Sequence, residues 1–185
     1  MNSNFFVICG PSGVGKGTLV KRLLFEIPNV ALSISCTTRK PREGEIDGVS
    51  YYFLSKDEFE QRISQNLFLE WALVHGNYYG TPRDYVENNV KDGKIILLEI
   101  DVQGALAVKQ QKPDTILLFI APPSVDELRR RLDNRGTDDE ATKQTRIKNA
   151  MDELSQQDKF DVVLVNDDLE ICYSKLKNLI TGRQG

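Results

Sequence analysis

Nine residues near the start carry the most concentrated chemistry: Gly10-Pro11-Ser12-Gly13-Val14-Gly15-Lys16-Gly17-Thr18. Glycines at this spacing let the backbone curl so that successive N–H groups face an anion. Lys16 stands where an ammonium reaches the β- and γ-phosphates of a bound nucleotide. The apolar run Phe5-Phe6-Val7-Ile8-Cys9 predicts a strand leading in, and Leu19-Val20-Lys21-Arg22-Leu23-Leu24 predicts a helix leading out. That helix turns its N-terminus, the positive end of its dipole, toward the same anion. Strand, glycine turn, lysine and helix together form a phosphate-binding loop. The hydroxyl expected directly after the lysine is displaced, because Gly17 sits there and Thr18 follows. A Mg²⁺ ion is therefore expected near Thr18 and held through water, as Mg²⁺ often is.

A second group of residues suits an acceptor. Arg39 and Arg42 lie three apart in the basic stretch Ser35-Cys36-Thr37-Thr38-Arg39-Lys40-Pro41-Arg42. Two planar guanidinium forks in a loop fit an oxyanion such as a monophosphate, with a solvated basic turn as the alternative. Tyr51 and Tyr79 offer phenolic donors to the same anion. Glu70 stands amid apolar residues, so it is either on an exposed face or buried with a partner. Glu99 and Asp101 end an apolar run two residues apart, at the strand end where open α/β sheets bind ligands. A guanine base presents N1–H and N2–H₂ donors and an O6 acceptor. Glu70 and Asp101 accept from the first pair, and Ser35 or Thr81 donates to O6. Adenine has no such donor pair, and sites of this kind discriminate by roughly 10⁴ or more.

A third group is basic and helical. Arg131 and Arg135 lie four apart on one face, and Arg146 follows on the next helix. Two basic helices joined at Gly136 fit a mobile lid over phosphates, against the alternative of a solvated, salt-bridged hairpin. Arg129 and Arg130 are assigned to solvent. No residue stands out as a water-activating base, which favours transfer to a second substrate over hydrolysis.

The elements that must hold these groups alternate. Strands are expected at 5–9, 30–35, 51–54, 67–74, 94–101, 115–120 and 161–165. Ser55 opens a capping box for a helix through about residue 65. Gly76-Asn77-Tyr78-Tyr79-Gly80 reads as a turn, and Thr81 reads as the N-cap of a helix with Pro82 in its first turn, closed by Asp92-Gly93. Trp71 is expected in the core. Further helices are expected over 102–111, after Ser124, after Thr137, and from 169 to about 180, the last behind the turn Asn166-Asp167-Asp168. This alternation predicts a parallel α/β core with one small inserted lobe.

Composition sets outer limits. The net charge is −3, from 24 Lys plus Arg against 27 Asp plus Glu, so no whole-chain attraction to nucleic acid is expected. Cys9, Cys36 and Cys172 are scattered, which fits reduced, mostly buried thiols in the cytoplasm and neither a disulfide framework nor a metal cluster. His75 is the single histidine, which argues against histidine metal sites and a Ser–His pair. Met1-Asn2-Ser3-Asn4 carries no basic region, and the five apolar residues after it are too few for a signal peptide or a membrane span.

With these residues in place, the chain resembles the guanylate kinases over nearly its whole length. The resemblance rests on residues 10–18, on Thr37-Thr38-Arg39-Lys40-Pro41-Arg42, on Gly76-Asn77-Tyr78-Tyr79-Gly80-Thr81, on Ile100-Asp101-Val102-Gln103-Gly104, on Ala121-Pro122-Pro123-Ser124 and on Val165-Asn166-Asp167-Asp168. It implies a P-loop kinase fold: a parallel five-stranded core sheet flanked by helices, a small mixed GMP-binding lobe and a helical lid. The core is expected at about 1–34, 86–123 and 151–185, the lobe at about 35–85 and the lid at about 124–150.

The resemblance implies ATP and GMP as substrates, Mg²⁺ as cofactor, and neither nucleic acid nor membrane as partner; a homo-oligomer stays open. It implies GMP binding by Ser35, Arg39, Arg42, Tyr51, Glu70, Tyr79, Thr81 and Asp101. Lys16, Arg42, Arg131, Arg135 and Arg146 are the implied catalytic cations, and Asn166 is implied to lie near the adenine. Glu99 stands where the family usually has aspartate, which leaves it between Mg²⁺ and GMP. Two other readings compete. Guanylate-kinase-like modules of scaffold proteins bind peptides, but typically with a degraded loop and extra domains. Adenylate kinases share Gly-Lys-Gly-Thr but lack the Arg39/Arg42 and Tyr78-Tyr79 segments.

Overall fold

The apolar run Phe5–Cys9 is buried along its whole length and forms the middle strand of a parallel sheet. Its residues alternate between two cores, as side chains on a strand must. Phe6 and Ile8 face a cluster with Leu19, Leu23, Cys172 and Leu176, while Phe5, Val7 and Cys9 face one with Val86, Val102, Ala105 and Val108. Covering both faces is what makes a continuous apolar strand stable, since each fully buried large side chain contributes about 1.5–3 kcal/mol.

The computed structural model describes residues 3–74, 76–133 and 140–182. In chain order the elements begin β1 (Phe5–Cys9), α1 (Lys16–Glu26), β2 (Val30–Ser33), β3 (Cys36–Thr37), β4 (Tyr52–Phe53), α2 (Lys56–Ser64), β5 (Phe68–Val74), β6 (Asn77–Pro82) and α3 (Arg83–Lys91). They continue β7 (Ile95–Glu99), α4 (Val102–Gln111), β8 (Ile116–Ala121), α5 (Val125–Asp133), α6 (Glu140–Leu154), β9 (Val162–Val165) and α7 (Leu169–Thr181). The main sheet is five-stranded and parallel, in the order β2-β7-β1-β8-β9. α1 and α7 cover one face, and α3 and α4 the other. The α/β architecture with a parallel core sheet is as expected.

The second sheet has the order β4-β3-β6-β5, with β3 and β4 parallel and the other pairs antiparallel. Its first strand, Cys36–Thr37, lies within the stretch expected to be loop. Residues 76–80 are not a turn. Apart from Gly76, they belong to β6, which pairs Trp71 with Gly80, Ala72 with Tyr79 and Leu73 with Tyr78. Aromatic side chains favour strand once a partner strand is supplied, which overrides the local turn composition. Gly80 is needed for packing, because a β-carbon there would lie 2.9 Å from the Phe59 ring.

Two further expectations fail in this lobe. Trp71 is 45% exposed, outside the core. A register shift between Phe68 and Glu70 inserts one extra residue into β5, so Phe68, Leu69 and Glu70 are all buried before Trp71 and Leu73 turn outward. Bulges of this kind re-aim a side chain, and here the re-aimed residue is Glu70. Thr81 is still in the strand and caps no helix; Pro82 holds the N-cap position of α3 without a side-chain cap. The capping box at Ser55 forms as read, with Ser55 and Glu58 bonded both ways.

The helices α5 and α6 pack on each other through Leu128, Leu132 and Ala150. Ser124 accepts from the Glu127 N–H at the start of α5. Arg135, Gly136 and the Thr137 cap lie outside the described residues, as does His75. Cys9, Cys36 and Cys172 are buried and unpaired. Among the described residues, no helix is long and apolar enough to cross a membrane.

Candidate active site

The glycine loop follows β1 directly, and Gly15 serves as the N-cap of α1 with φ 98°, a left-handed conformation that favours glycine. The Val14 side chain is fully buried beneath the loop, which ties the loop to the core. Lys16 Nζ donates to the Gly10 carbonyl and, at 3.2 Å, to the Pro11 carbonyl, so the ammonium lies over the loop itself. Gly17 and Thr18 are exposed on the first turn of α1.

A cavity of about 350 Å³ opens beside the loop. Gly10, Ser12 and Lys16 of the glycine loop and the start of α1 form one end. Ser35, Arg42, Tyr51, Glu70 and Tyr79 from the small lobe form one wall, and Glu99 and Asp101 from the end of β7 form its floor. Arg146, Asn149 and Glu153 of α6 form the remaining side. Spacings of three and four bring those three residues to one face of the helix.

Glu70 is 5% exposed and accepts a 2.6 Å hydrogen bond from the Thr81 hydroxyl at its Oε1. Its other oxygen, Oε2, lies where α4 begins: a β-carbon on Gly104 would sit 2.9 Å from it. Burial pushes the Glu70 carboxyl up to about 7, against the Thr81 hydrogen bond and with the Asp101 charge adding to the rise. Asp101 is the N-cap of α4, its Oδ1 accepting from the Gln103 and Gly104 N–H groups at 2.7 and 3.1 Å. A carboxylate at a helix N-terminus is held in place by those donors.

Toward the other end of the wall, Arg39 is ion-paired to Glu45 at 2.8 Å, with its guanidinium 5.4 Å from the Tyr51 ring centre. The Arg42 N–H donates to the second Glu45 oxygen at 2.7 Å. Glu45 thus fixes the shape of the basic loop, a role not read from the sequence. Its signal was an acid three residues beyond Arg42. Arg42 lines the cavity, whereas Arg39 stands behind Tyr51. The Tyr51 and Tyr79 rings meet edge to face, 6.0 Å apart.

The lid cations divide. Arg146 faces the cavity. Arg131 donates through Nε to Glu127 at 2.8 Å and through Nη2 to the main-chain oxygen of Asn166 at 3.1 Å, beside the loop. Arg130 is exposed and bound to Glu127, as assigned. Glu153 was missed by sequence reading. Burial pushes its carboxyl up to about 7, with Lys16 opposing and Asp101 reinforcing the rise. Glu99 is raised by burial as well, against the attraction of Lys16. The place of Glu153 on α6 gave no local signal, because which face of a helix meets a cavity depends on packing.

Among the described residues, no three His, Cys, Asp or Glu side chains converge as a metal cage. The donor set fits instead a magnesium ion carried on nucleotide phosphates, which keeps most of its waters and needs only one or two protein carboxylates. Glu99 lines the cavity; Thr18 is not among the lining residues.

The family model described as guanylate kinase matches residues 2–183. The chain is 49% identical over 178 residues to the guanylate kinase of Prochlorococcus marinus, covering 96% of this chain and 97% of that one. It is 48% identical over 184 residues to the guanylate kinase of Thermotoga maritima, covering 100% of this chain and 89% of the relative. The crystal structure of guanylate kinase from Anaplasma phagocytophilum superposes with a TM-score of 0.80 at 36% identity, over 97% of this chain and 85% of that one. On sequence and on fold alike, the chain belongs to the guanylate kinase family.

Proposed function

We propose that this chain transfers the γ-phosphoryl group of ATP to GMP, releasing ADP and GDP. The observation that carries this reading is the buried Glu70–Thr81 pair in the wall of the same cavity that Lys16 enters. A carboxylate buried without a counter-cation needs donors, and guanine brings N1–H and N2–H₂. Asp101, on the floor of the cavity, accepts from the same edge. The Thr81 hydroxyl is committed to Glu70, which leaves Ser35 to donate to O6.

The acceptor phosphate is held by Arg42, Tyr51 and Tyr79. Arg39 is held close behind by Glu45 and contributes charge to the same phosphate. The loop over residues 10–18 cradles the donor phosphates with its N–H groups. Lys16 exchanges the Gly10 and Pro11 carbonyls for phosphate oxygens, a charge-assisted and stronger contact. Arg146 faces the transferred group from the lid, and Arg131 and Arg135 are assigned to the same phosphates. Asn166 belongs to the donor side of the site. Glu99 and, through water, Thr18 would hold a Mg²⁺ ion, which would supply positive charge to offset that of the transferring phosphates. Closure of α5 and α6 excludes water, which otherwise competes as acceptor.

We place the reaction in purine nucleotide recycling, and the chain in the cytoplasm on its three unpaired cysteines. The test is product analysis with ATP and each of GMP, AMP, CMP and UMP. GDP and ADP in equal amounts from GMP are expected. ATP loss with release of inorganic phosphate alone would overturn the transfer.

A further inference from the structure

The loop and the lid meet at one residue that the chemistry above leaves almost unused. Asn166 follows β9 and is 5% exposed. Its N–H donates to the Ala121 carbonyl at 2.8 Å, at the end of the neighbouring strand β8. Its Nδ2 donates to the Val14 carbonyl at 2.7 Å, a buried contact between residues 152 positions apart. A β-carbon on Gly15 would lie 2.6 Å from that Nδ2. Gly15 therefore serves twice, by its left-handed backbone and by leaving room for the amide. Finally, the main-chain oxygen of Asn166 receives Nη2 of Arg131.

A trans peptide is planar, with its C=O and N–H pointing opposite ways. Holding the Val14 oxygen against Asn166 therefore holds the Gly15 N–H on the other side, away from Asn166. Were this peptide to turn over, a carbonyl oxygen would replace an N–H in the phosphate cradle. The bond to Asn166 opposes that turn, because a buried carbonyl deprived of its donor is costly.

We propose that Asn166 is a positioning residue: its amide clamps the Val14–Gly15 peptide so that the Gly15 N–H faces the donor phosphates, and its carbonyl stations Arg131 beside them. The clamp acts on phosphates, not on the adenine ring near which the family resemblance places this residue. It rests on the reading of residues 10–18 as the donor site.

The test measures ADP, inorganic tripolyphosphate and GMP binding to the full chain by calorimetry, for the parent, Asn166→Ala and Asn166→Asp. The aspartate variant keeps the shape and the main-chain bond to Arg131 but sets an oxygen against the Val14 carbonyl. In both variants ADP and tripolyphosphate weaken together, by roughly tenfold or more, while GMP binding stays within about twofold. In turnover, KM for ATP rises and KM for GMP holds. Unchanged ADP binding overturns the clamp. So does a loss confined to ADP with tripolyphosphate unchanged, which marks an adenine contact, and so do equal losses for ADP and GMP, which mark general destabilisation. Failure of the parent chain to phosphorylate GMP would count against the proposed reaction, whereas the clamp is judged on ADP and tripolyphosphate binding.

Discussion

The Thr81 hydroxyl donates to Oε1 of Glu70 across 2.6 Å, between two side chains that are 0% and 5% exposed. The bond crosses from β6 to β5 at the bulge, so the fold of the small lobe and the proposed recognition of the acceptor base share one contact. Without Thr81, the carboxyl would keep its burial and lose its hydrogen-bonded neighbour.

Thr81→Val keeps the shape of the side chain and removes the donor. Leaving a buried acceptor unpaired costs about 1–3 kcal/mol. The expected result is a lower melting temperature together with a higher KM for GMP, while KM for ATP stays near the parent value. A variant that shifted KM for ATP and not for GMP would place Glu70 on the wrong nucleotide.

Gly104→Ala tests the other oxygen of the same carboxyl. The added β-carbon would lie 2.9 Å from Glu70 Oε2 and 3.3 Å from Ile100 Cδ1, so the carboxyl must shift. A destabilisation of about 1–3 kcal/mol is typical of such overpacking. GMP affinity is expected to fall, and ADP affinity, measured by calorimetry, is not. Retained GMP affinity would mean that Glu70 does not touch the base.

The acids of the cavity set a pH dependence. Burial raises Glu70 and Glu153 from an ordinary value of 4.5 to about 7. The folded chain then binds more protons than the unfolded chain between those values, so their contribution lowers stability as pH rises from about 4.5 to about 7. Glu153→Gln and Glu70→Gln each remove one such group. The stability difference between variant and parent, from urea melts, is expected to shift in the variant's favour across that window. A difference that is flat with pH would contradict the burial of these acids.

Lys16→Met removes the ammonium and keeps most of the unbranched side chain. Turnover is expected to fall by roughly a hundredfold or more, as for loss of a charged donor aimed at a transferring group. GMP binding is expected to persist, because Glu70, Asp101 and Arg42 are untouched. Near-parent turnover in this variant would refute the assignment of the loop.

Much of this was readable in the chain because the signals were local. Glycine spacing before Lys16 marks the loop by backbone geometry, and continuous apolar runs at Phe5 and Ile95 mark strands covered on both faces. The failures came where a distant partner decided the outcome. Tyr78 and Tyr79 sit among turn formers and become a strand only against β5. Trp71 turns outward because the bulge at Phe68 and Glu70 shifts the phase of its strand. Thr81 before Pro82 has the composition of a helix start, but Glu70 takes its hydroxyl. Glu153 was missed because it faces a cavity assembled from several elements, whereas Glu45 carried only the local signal of an acid three residues beyond Arg42, within reach of two arginines of its own loop.

The central claim is that buried carboxyls choose guanine, and the ratio of kcat/KM for GMP to that for AMP reads it directly. The expected ratio is roughly 10⁴ or more, because adenine brings no N1–H and N2–H₂ pair to the carboxyls of Glu70 and Asp101. In Glu70→Ala the ratio should collapse by about a hundredfold or more, with the loss falling on GMP. Turnover of AMP equal to that of GMP in the parent chain would contradict the account.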